Sequence, residues 1–165
     1  MAILSNTTLV RVDDRLLHGQ VVVTWVRDLN ITTIWIISDR VVKEPIEIIL
    51  LQSAVPFDIN LTIWTMDQAL QYADEHALPS PLMIMVEDLQ TILYLCERNF
   101  PMPTVNVGGL RYQPGKIGLS KTVYVSEADV AILRVLEQMG VAITMQALPT
   151  DHRTDLYERL QRKWK

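Results

Sequence analysis

The chain has 165 residues, 49% of them hydrophobic and 21% charged, which suits one globular domain with a sizeable core. A net charge of −4 argues against nucleic acid, or an anionic membrane surface, as a broad electrostatic partner. No apolar run reaches the roughly 18 residues of a membrane-spanning helix, MAILSNTTLV carries no signal-peptide features, and the single Cys96 permits neither an internal disulfide nor a CxxC site.

These features point to a reducing, cytoplasmic setting. Strand-length apolar runs then alternate with longer amphipathic stretches. Thr8–Val12 reads as the first strand, rich in the residues strands favour. The segment QVVVTWV at 20–26 is ambivalent. Its triple valine favours a hairpin with DDRLLHG as the loop, whereas Val22, Trp25, Val26 and Leu29 share one helical face. The helical reading is preferred. Strands follow at Thr33–Ile37 and Leu61–Trp64, separated by a helix over Glu44–Ala54 with Pro45 in its first turn.

Asp67 opens a helix over Gln68–His76, and Leu82–Val86 reads as a strand buried on both faces. Glu87 and Asp88 favour the start of a helix over Leu89–Arg98 through charge–dipole complementarity. Strand Thr104–Val107 leads into GGLRYQPGKIGLSK, which has no helical period. The strand Thr122–Val125 after it is therefore expected to run antiparallel, or the connection to be a functional loop. Ser126 and Asp129 form a capping signature for a helix ending at Met139 and Gly140. Strand Val141–Gln146 and a helix near Thr154–Trp164, with Arg162, Lys163 and Lys165 at its end, close the chain. The alternation predicts an α/β three-layer open sheet in a single domain spanning 1–165. It would be mostly parallel, with about seven strands, one antiparallel, and helices on both faces.

In open parallel sheets ligands bind at the carboxyl ends of strands, near a switch in strand order. The loops after the first and fifth strands are therefore the places to look. With a helix after it, the first loop puts His18 and Gly19 at a helix N-terminus, whose free N–H groups and dipole favour an anion. Gly19 permits close backbone approach, and Arg15 supplies a planar fork of donors suited to phosphate. A histidine there acts either as a general base or as a nucleophile that holds a phosphoryl group. Taken singly, each of these residues has an ordinary structural reading, with Asp13 and Asp14 as turn-formers and Arg11 as a strand residue. Arg15, His18 and Gly19 together agree on anion handling.

The stretch LVRVDDRLLHGQVVVTW closely resembles the active-site segment of the mannose/fructose/sorbose-family IIB components of the bacterial phosphoenolpyruvate-dependent sugar phosphotransferase system. The likeness continues through IISDR, VNVGGL (where family members often have Met at position 110), TVYVSEAD and a late Gly-Val, across essentially the whole chain. The resemblance implies a sugar phosphotransferase acting through a protein phosphohistidine. His18 would accept a phosphoryl group from a phosphorylated IIA protein and pass it to a sugar held in the membrane subunits IIC and IID. The chain would be cytoplasmic and docked at the inner membrane face through them. Arg15 would bind the phosphoryl oxygens, Arg11 would be a second cationic neighbour, and Asp14 would orient the imidazole or the loop. The backbone around Leu17 and Gly19, with Gly108 and Gly109 as a second wall, would complete the phosphoryl seat.

An activated donor needs neither cofactor nor metal, so none is expected. A small binding module that reversibly holds a phosphorylated metabolite is the competing reading, and a homodimer is compatible with either. The sugar itself is not encoded in these residues. Elsewhere Ser38 and Asp39 either touch the active loop or cap the next helix, and the Gln113–Lys116 turn lacks the pattern of a phosphate loop. Lys116 and Lys121 are expected to face partner or solvent, Leu16 and Leu17 to form either an apolar docking rim or core, and Trp25 to be core. His76 and His152 have no metal-ligand partner at useful spacing.

Overall fold

The computed structural model describes residues 8–164, apart from the side chains at positions 20 and 21. The MAILSNT segment read for a signal peptide, and Lys165, lie outside the described residues. Six parallel strands make up most of the sheet: β1 (Leu9–Asp13), β2 (Thr33–Ile37), β3 (Asn60–Trp64), β4 (Leu82–Val86), β5 (Val105–Gly109) and β8 (Ile143–Met145). A short β9 (Thr154–Asp155) adds to β8 in the antiparallel sense, giving seven strands in the order β3-β2-β4-β1-β5-β8-β9. Two further short strands, β6 (Ile117–Gly118) and β7 (Tyr124–Val125), form a separate hairpin.

The sheet is thus the expected open, mostly parallel one, and its antiparallel member falls elsewhere than the sequence indicated. Of the run 122–125, Val123 makes only an isolated parallel bridge to Leu110, while the two residues after it pair with Ile117–Gly118. Thr154 and Asp155, read as the start of the last helix, take the antiparallel place instead. Two residues cannot show a period-2 pattern, so this strand left no trace in the sequence.

Among the described residues six α-helices cover both faces. On one face lie α1 (Gly19–Asp28) and α2 (Pro45–Ala54), packed over Ile34, Ile36, Met83 and Met85 through Val22, Trp25 and Leu51. The segment after His18 is therefore a helix, despite its valines. Val22 and Trp25 bury an apolar stripe worth roughly 1.5–3 kcal/mol per large side chain, which exceeds the few tenths that β-branching costs a helix. On the other face lie α3 (Met66–Glu75), α4 (Leu89–Glu97), α5 (Glu127–Gln138) and α6 (Leu156–Lys163), over Val10, Val12, Ile84, Val105 and Val107. Side chains alternate across a strand. So if Val10 and Val12 face the second layer, Leu9, Arg11 and Asp13 face α1.

Crossovers from β1 and β2 run toward one edge of the sheet, whereas the path from β5 through α5 to β8 runs toward the other. The carboxyl ends of β1 and β5 therefore flank the point where strand order reverses. There β1 and β5 lose register: Val12 pairs with Val107 but Asp13 pairs with Gly109, leaving Gly108 as a bulge. Among the described residues no helix is long and apolar enough to cross a membrane.

Candidate functional site

The loop from Asp13 to His18 is a tight turn. The Leu16 N–H donates to the Asp13 carbonyl at 2.9 Å, and Asp14 N–H to Gly109 O at 3.0 Å. Leu16 holds a left-handed backbone, φ 55°, a conformation that costs a non-glycine residue about 1 kcal/mol or more. Burial of its side chain against α1 and Ile34 offsets that strain. Leu16 and Leu17 are both core residues, so they form no exposed rim.

Asp13 is the hub of the site. Its fully buried carboxylate accepts His18 Nε2 at 3.0 Å and the Arg15 N–H at 3.1 Å, and meets Arg15 Nε and Arg11 Nη2 at 3.4 Å each. An imidazole whose Nε2 faces a carboxylate carries its proton on that nitrogen, which leaves the Nδ1 lone pair free. The His18 side chain is 23% exposed, enough for the ring to meet another molecule. Arg15 is 42% exposed; only its Nε turns inward, and its two Nη groups have no partner among the described residues.

Arg11 lies beneath this pair, fully buried on β1. Nη1 donates to Asn106 Oδ1 at 2.7 Å and to the Gln146 carbonyl at 3.0 Å, and the guanidinium sits 5.5 Å from the Trp25 ring centre. Its Nε has no partner among the described residues. Burial holds its pKa below the ordinary guanidinium value, with Asp13 pulling the other way. Removing a guanidinium from water costs several kcal/mol, which Asp13, Asn106 and the Gln146 carbonyl offset. Trp25 Nε1 donates to the Ala147 carbonyl at 3.0 Å, so the segment after β8 is tied both to α1 and to Arg11.

The other residues singled out in the sequence fall into place around this hub. Asp14 does not reach the imidazole. Its Oδ2 accepts the Arg111 N–H at 2.8 Å and its Oδ1 meets Arg111 Nε at 3.3 Å, which fastens the loop after β5 to the active loop. Gly108 leaves room for Arg11, because a methyl group there would overlap the guanidinium. At Gly109 a Cβ would stand 3.1 Å from Asp13 Oδ1. Both glycines thus accommodate the buried charges, and Gly109 also borders a small recess of about 220 Å³ with Arg15, Arg111, Tyr112 and Lys121. Gly19 is exposed with φ 45°. The backbone N–H groups of Leu17 and His18 donate to nothing among the described residues, and the His18 side chain does not cap α1. By contrast α3, α4, α5 and α6 are each capped by a side chain.

Ser38 and Asp39 are capping residues that do not touch the active loop. Ser38 Oγ accepts the Val41 N–H at 3.1 Å and donates to Glu87 at 2.6 Å, and Asp39 accepts the Met66 N–H at 2.8 Å. Lys116 turns inward to Asp129 at 3.9 Å instead of facing solvent. Sequence reasoning took Asp13 for a turn-former. The available signal was the strand period: residues 11 and 13 share a face, and a buried arginine there demands a carboxylate. The contributions of Gln146, Trp25 and Arg111 arise from contacts 97 to 135 residues apart in sequence, which local pattern does not encode. Among the described residues no group of three or more His, Cys, Asp and Glu is placed to hold a metal ion.

A histidine on a carboxylate at the switch point of an open parallel sheet, with spare arginine donors beside it, is an arrangement that can seat an anion. The comparisons give the family. The model of the PTS system sorbose subfamily IIB component matches residues 7–165, and the chain belongs to that family, the IIB components of the sugar phosphotransferase system. It is 31% identical over 154 residues to the sorbose-specific EIIB component of Lacticaseibacillus casei, covering 93% of this chain and 94% of that one. It is 29% identical over 155 residues to the N-acetylgalactosamine-specific enzyme IIB component 2 of Escherichia coli K12, covering 94% and 99%. The crystal structure of the IIBSor domain of the sorbose permease from Klebsiella pneumoniae superimposes with a TM-score of 0.83 at 25% identity, over 93% of this chain and 95% of that one.

Proposed function

We propose that this chain, acting as a single IIB domain, is a phosphohistidine relay in which His18 Nδ1 is the phosphoryl-carrying atom. The observation that carries the reading is the 3.0 Å contact between His18 Nε2 and the buried Asp13 carboxylate. It favours the Nε2–H tautomer and leaves the Nδ1 lone pair without a partner among the described residues. The Nδ1 lone pair attacks the phosphorus of a phosphohistidine on the IIA protein. The donor's nitrogen–phosphorus bond breaks, and its electron pair returns to the donor ring. In the second step a sugar hydroxyl, held by the IIC and IID subunits, attacks the phosphorus on His18 and gives up its proton to solvent. The nitrogen–phosphorus bond breaks and His18 regains its lone pair.

Phosphorylation at Nδ1 leaves both ring nitrogens substituted and the ring positively charged, and Asp13 is placed to compensate that charge through Nε2–H. The two Arg15 Nη groups and the free N–H groups of Leu17 and His18 supply donors for the equatorial oxygens of the transferring group. Arg11 does not touch the phosphoryl group in this scheme: it holds Asp13 from below. Asp14 shapes the loop through Arg111. Because the donor is already activated, the chain itself has only to place and release the group, so binding that is too tight would slow the relay. Docking with IIA, and with IIC and IID at the inner face of the membrane, is part of this reading, as is a cytoplasmic location.

The test is incubation with phosphoenolpyruvate, the general phosphotransferase proteins and a cognate IIA. The expected product is an acid-labile, base-stable phosphate with the 31P shift of an Nδ1-phosphohistidine, absent from His18→Ala. A phosphate that persists in that variant overturns the assignment. Saturable binding of a sugar phosphate with no covalent label supports the reversible binding module instead.

A further inference from the structure

On the far side of Lys121 and Thr122 from the histidine site, a second recess of about 270 Å³ lies between the end of β8, the loop before β9, and α6. Lys121, His152 and Arg159 stand around it. Among the described residues none of these three side chains has a hydrogen-bond or ion-pair partner, and Arg159 Nε is fully enclosed without an acceptor. Arg159 borders the recess and Lys121 and His152 stand with it, so the recess is ringed by cationic and imidazole side chains that have no acceptor of their own among the described residues. One carboxylate borders the recess, that of Asp151. Its Oδ2 is committed to the Leu148 N–H at 2.9 Å, and the Asp151 carbonyl accepts Gln146 Nε2 at 2.9 Å, so this acid serves its own turn.

Two uncompensated cations, an imidazole and the hydroxyls of Thr122 and Thr154 form a concave set of donors facing one space. An anion with several acceptor oxygens on one centre matches that set, and a phosphoryl group is the common one. The volume approaches the ~300 Å³ lower end of small-molecule pockets, more than a bare phosphate fills. The rest of the lining includes Met145 and Ala147, which supply apolar contact.

We propose that this recess binds a phosphate monoester, its phosphoryl group among Lys121, His152 and Arg159 and its organic part toward Met145 and Ala147. The site is distinct from the His18 loop and does not depend on His18 carrying a phosphate. It adjoins the frame of that loop, because the carbonyls of Gln146 and Ala147 hold Arg11 and Trp25.

The test is an amide-resolved NMR titration of the full chain with glucose 6-phosphate, inorganic phosphate and glucose, each at matched ionic strength. Saturating shifts are expected at Thr122, His152 and Thr154 with glucose 6-phosphate, and none with glucose. They should survive His18→Ala, weaken at least tenfold in Arg159→Gln, and weaken several-fold in His152→Ala, an exposed loop position that leaves the fold intact. Arg159→Lys keeps the charge but loses the planar fork of donors, so an affinity loss there shows that the guanidinium's geometry and not only its charge is used. Shifts centred on residues 15–19 and lost in His18→Ala overturn the proposal, as does an affinity unchanged in both Arg159→Gln and His152→Ala. Equal affinity for inorganic phosphate overturns the monoester assignment.

Discussion

At the carboxyl ends of β2 and β4, Ser38, Arg40, Glu47 and Glu87 form one polar cluster, while at the ends of β1 and β5, Arg11, Asp13, Arg15 and His18 form another. In the first, Arg40 donates through Nε, Nη1 and Nη2 to Glu87 and Glu47 at 2.6–3.1 Å, and Ser38 donates to Glu87. Four of the five Arg40 N–H donors are taken by two carboxylates, so the cluster has little cationic surplus to offer a ligand. In the second, one buried carboxylate serves two arginines and an imidazole, at 3.0–3.4 Å. Donor capacity exceeds what Asp13 can absorb, and the surplus on Arg15 and His18 faces outward. Short, closed ion pairs at the surface fasten loops. Longer, oversubscribed ones around a buried charge leave donors free for a ligand.

Breaking the buried hub should have the largest effect. Arg11→Met leaves the Asp13 carboxylate buried beneath the loop without its fully buried partner, and is expected to cost about 3–5 kcal/mol in urea unfolding. Adding Asp13→Asn should recover much of that loss, since an amide tolerates burial better than an uncompensated carboxylate. A cost below about 1 kcal/mol for the single change would show that the pair does not frame the site. Next in size is Arg15→Ala, expected to slow phosphoryl transfer from IIA by about 10²-fold while moving stability by less than about 0.5 kcal/mol. Arg40→Ala should leave the transfer rate unchanged. If both variants slow transfer equally, the distinction between the open and closed clusters fails. Gly108→Ala, which forces a methyl onto the Arg11 guanidinium, should destabilise by about 1–3 kcal/mol, with Gly109→Ala costing less because its nearest contact is 3.1 Å.

Much of this contrast was legible in the sequence, but unevenly. The parallel strands announced themselves as continuous apolar runs such as IWII and LMIMV, because burial on both faces removes every polar residue. The capping boxes at Thr65 and Ser126 are local hydrogen-bond patterns. Sequence marked the Ser126 box and placed the cap of α3 two residues late, at Asp67 instead of Thr65. His18, Arg15 and Gly19 stood out because they are adjacent and chemically concordant. Asp13 did not, since its partners are set by the pleat of β1 and by a bulge at Gly108 that no residue pattern predicts. Arg11 read from the sequence as a strand residue, and by resemblance as a second cationic neighbour of the phosphoryl group; that it is fully buried follows only from the pairing of β1 with β5, which sets Asn106 beside it. The β8–β9 pairing and the recess next to it come from two-residue and loop segments that carry no periodicity.

The smallest effect belongs to the closed cluster and depends on pH. The hydrogen bond from Arg40 is the main cause that lowers the Glu47 pKa below the ordinary carboxylate value, with burial opposing it more weakly. A carboxylate depressed in the folded state contributes stability above its unfolded pKa of about 4.3, and that contribution is lost as pH falls through the lower folded value. Both partners are substantially exposed, at 53% and 34%, so solvent screening limits the gain at pH 7 to about 0.5 kcal/mol. Wild type and Arg40→Ala should therefore differ by that amount in urea unfolding at pH 7 and converge as the solution is taken toward pH 3. A gap that stays constant across the same range would assign the contribution to packing of the Arg40 aliphatic stem, and the cluster would then be a contact surface with an incidental charge pair.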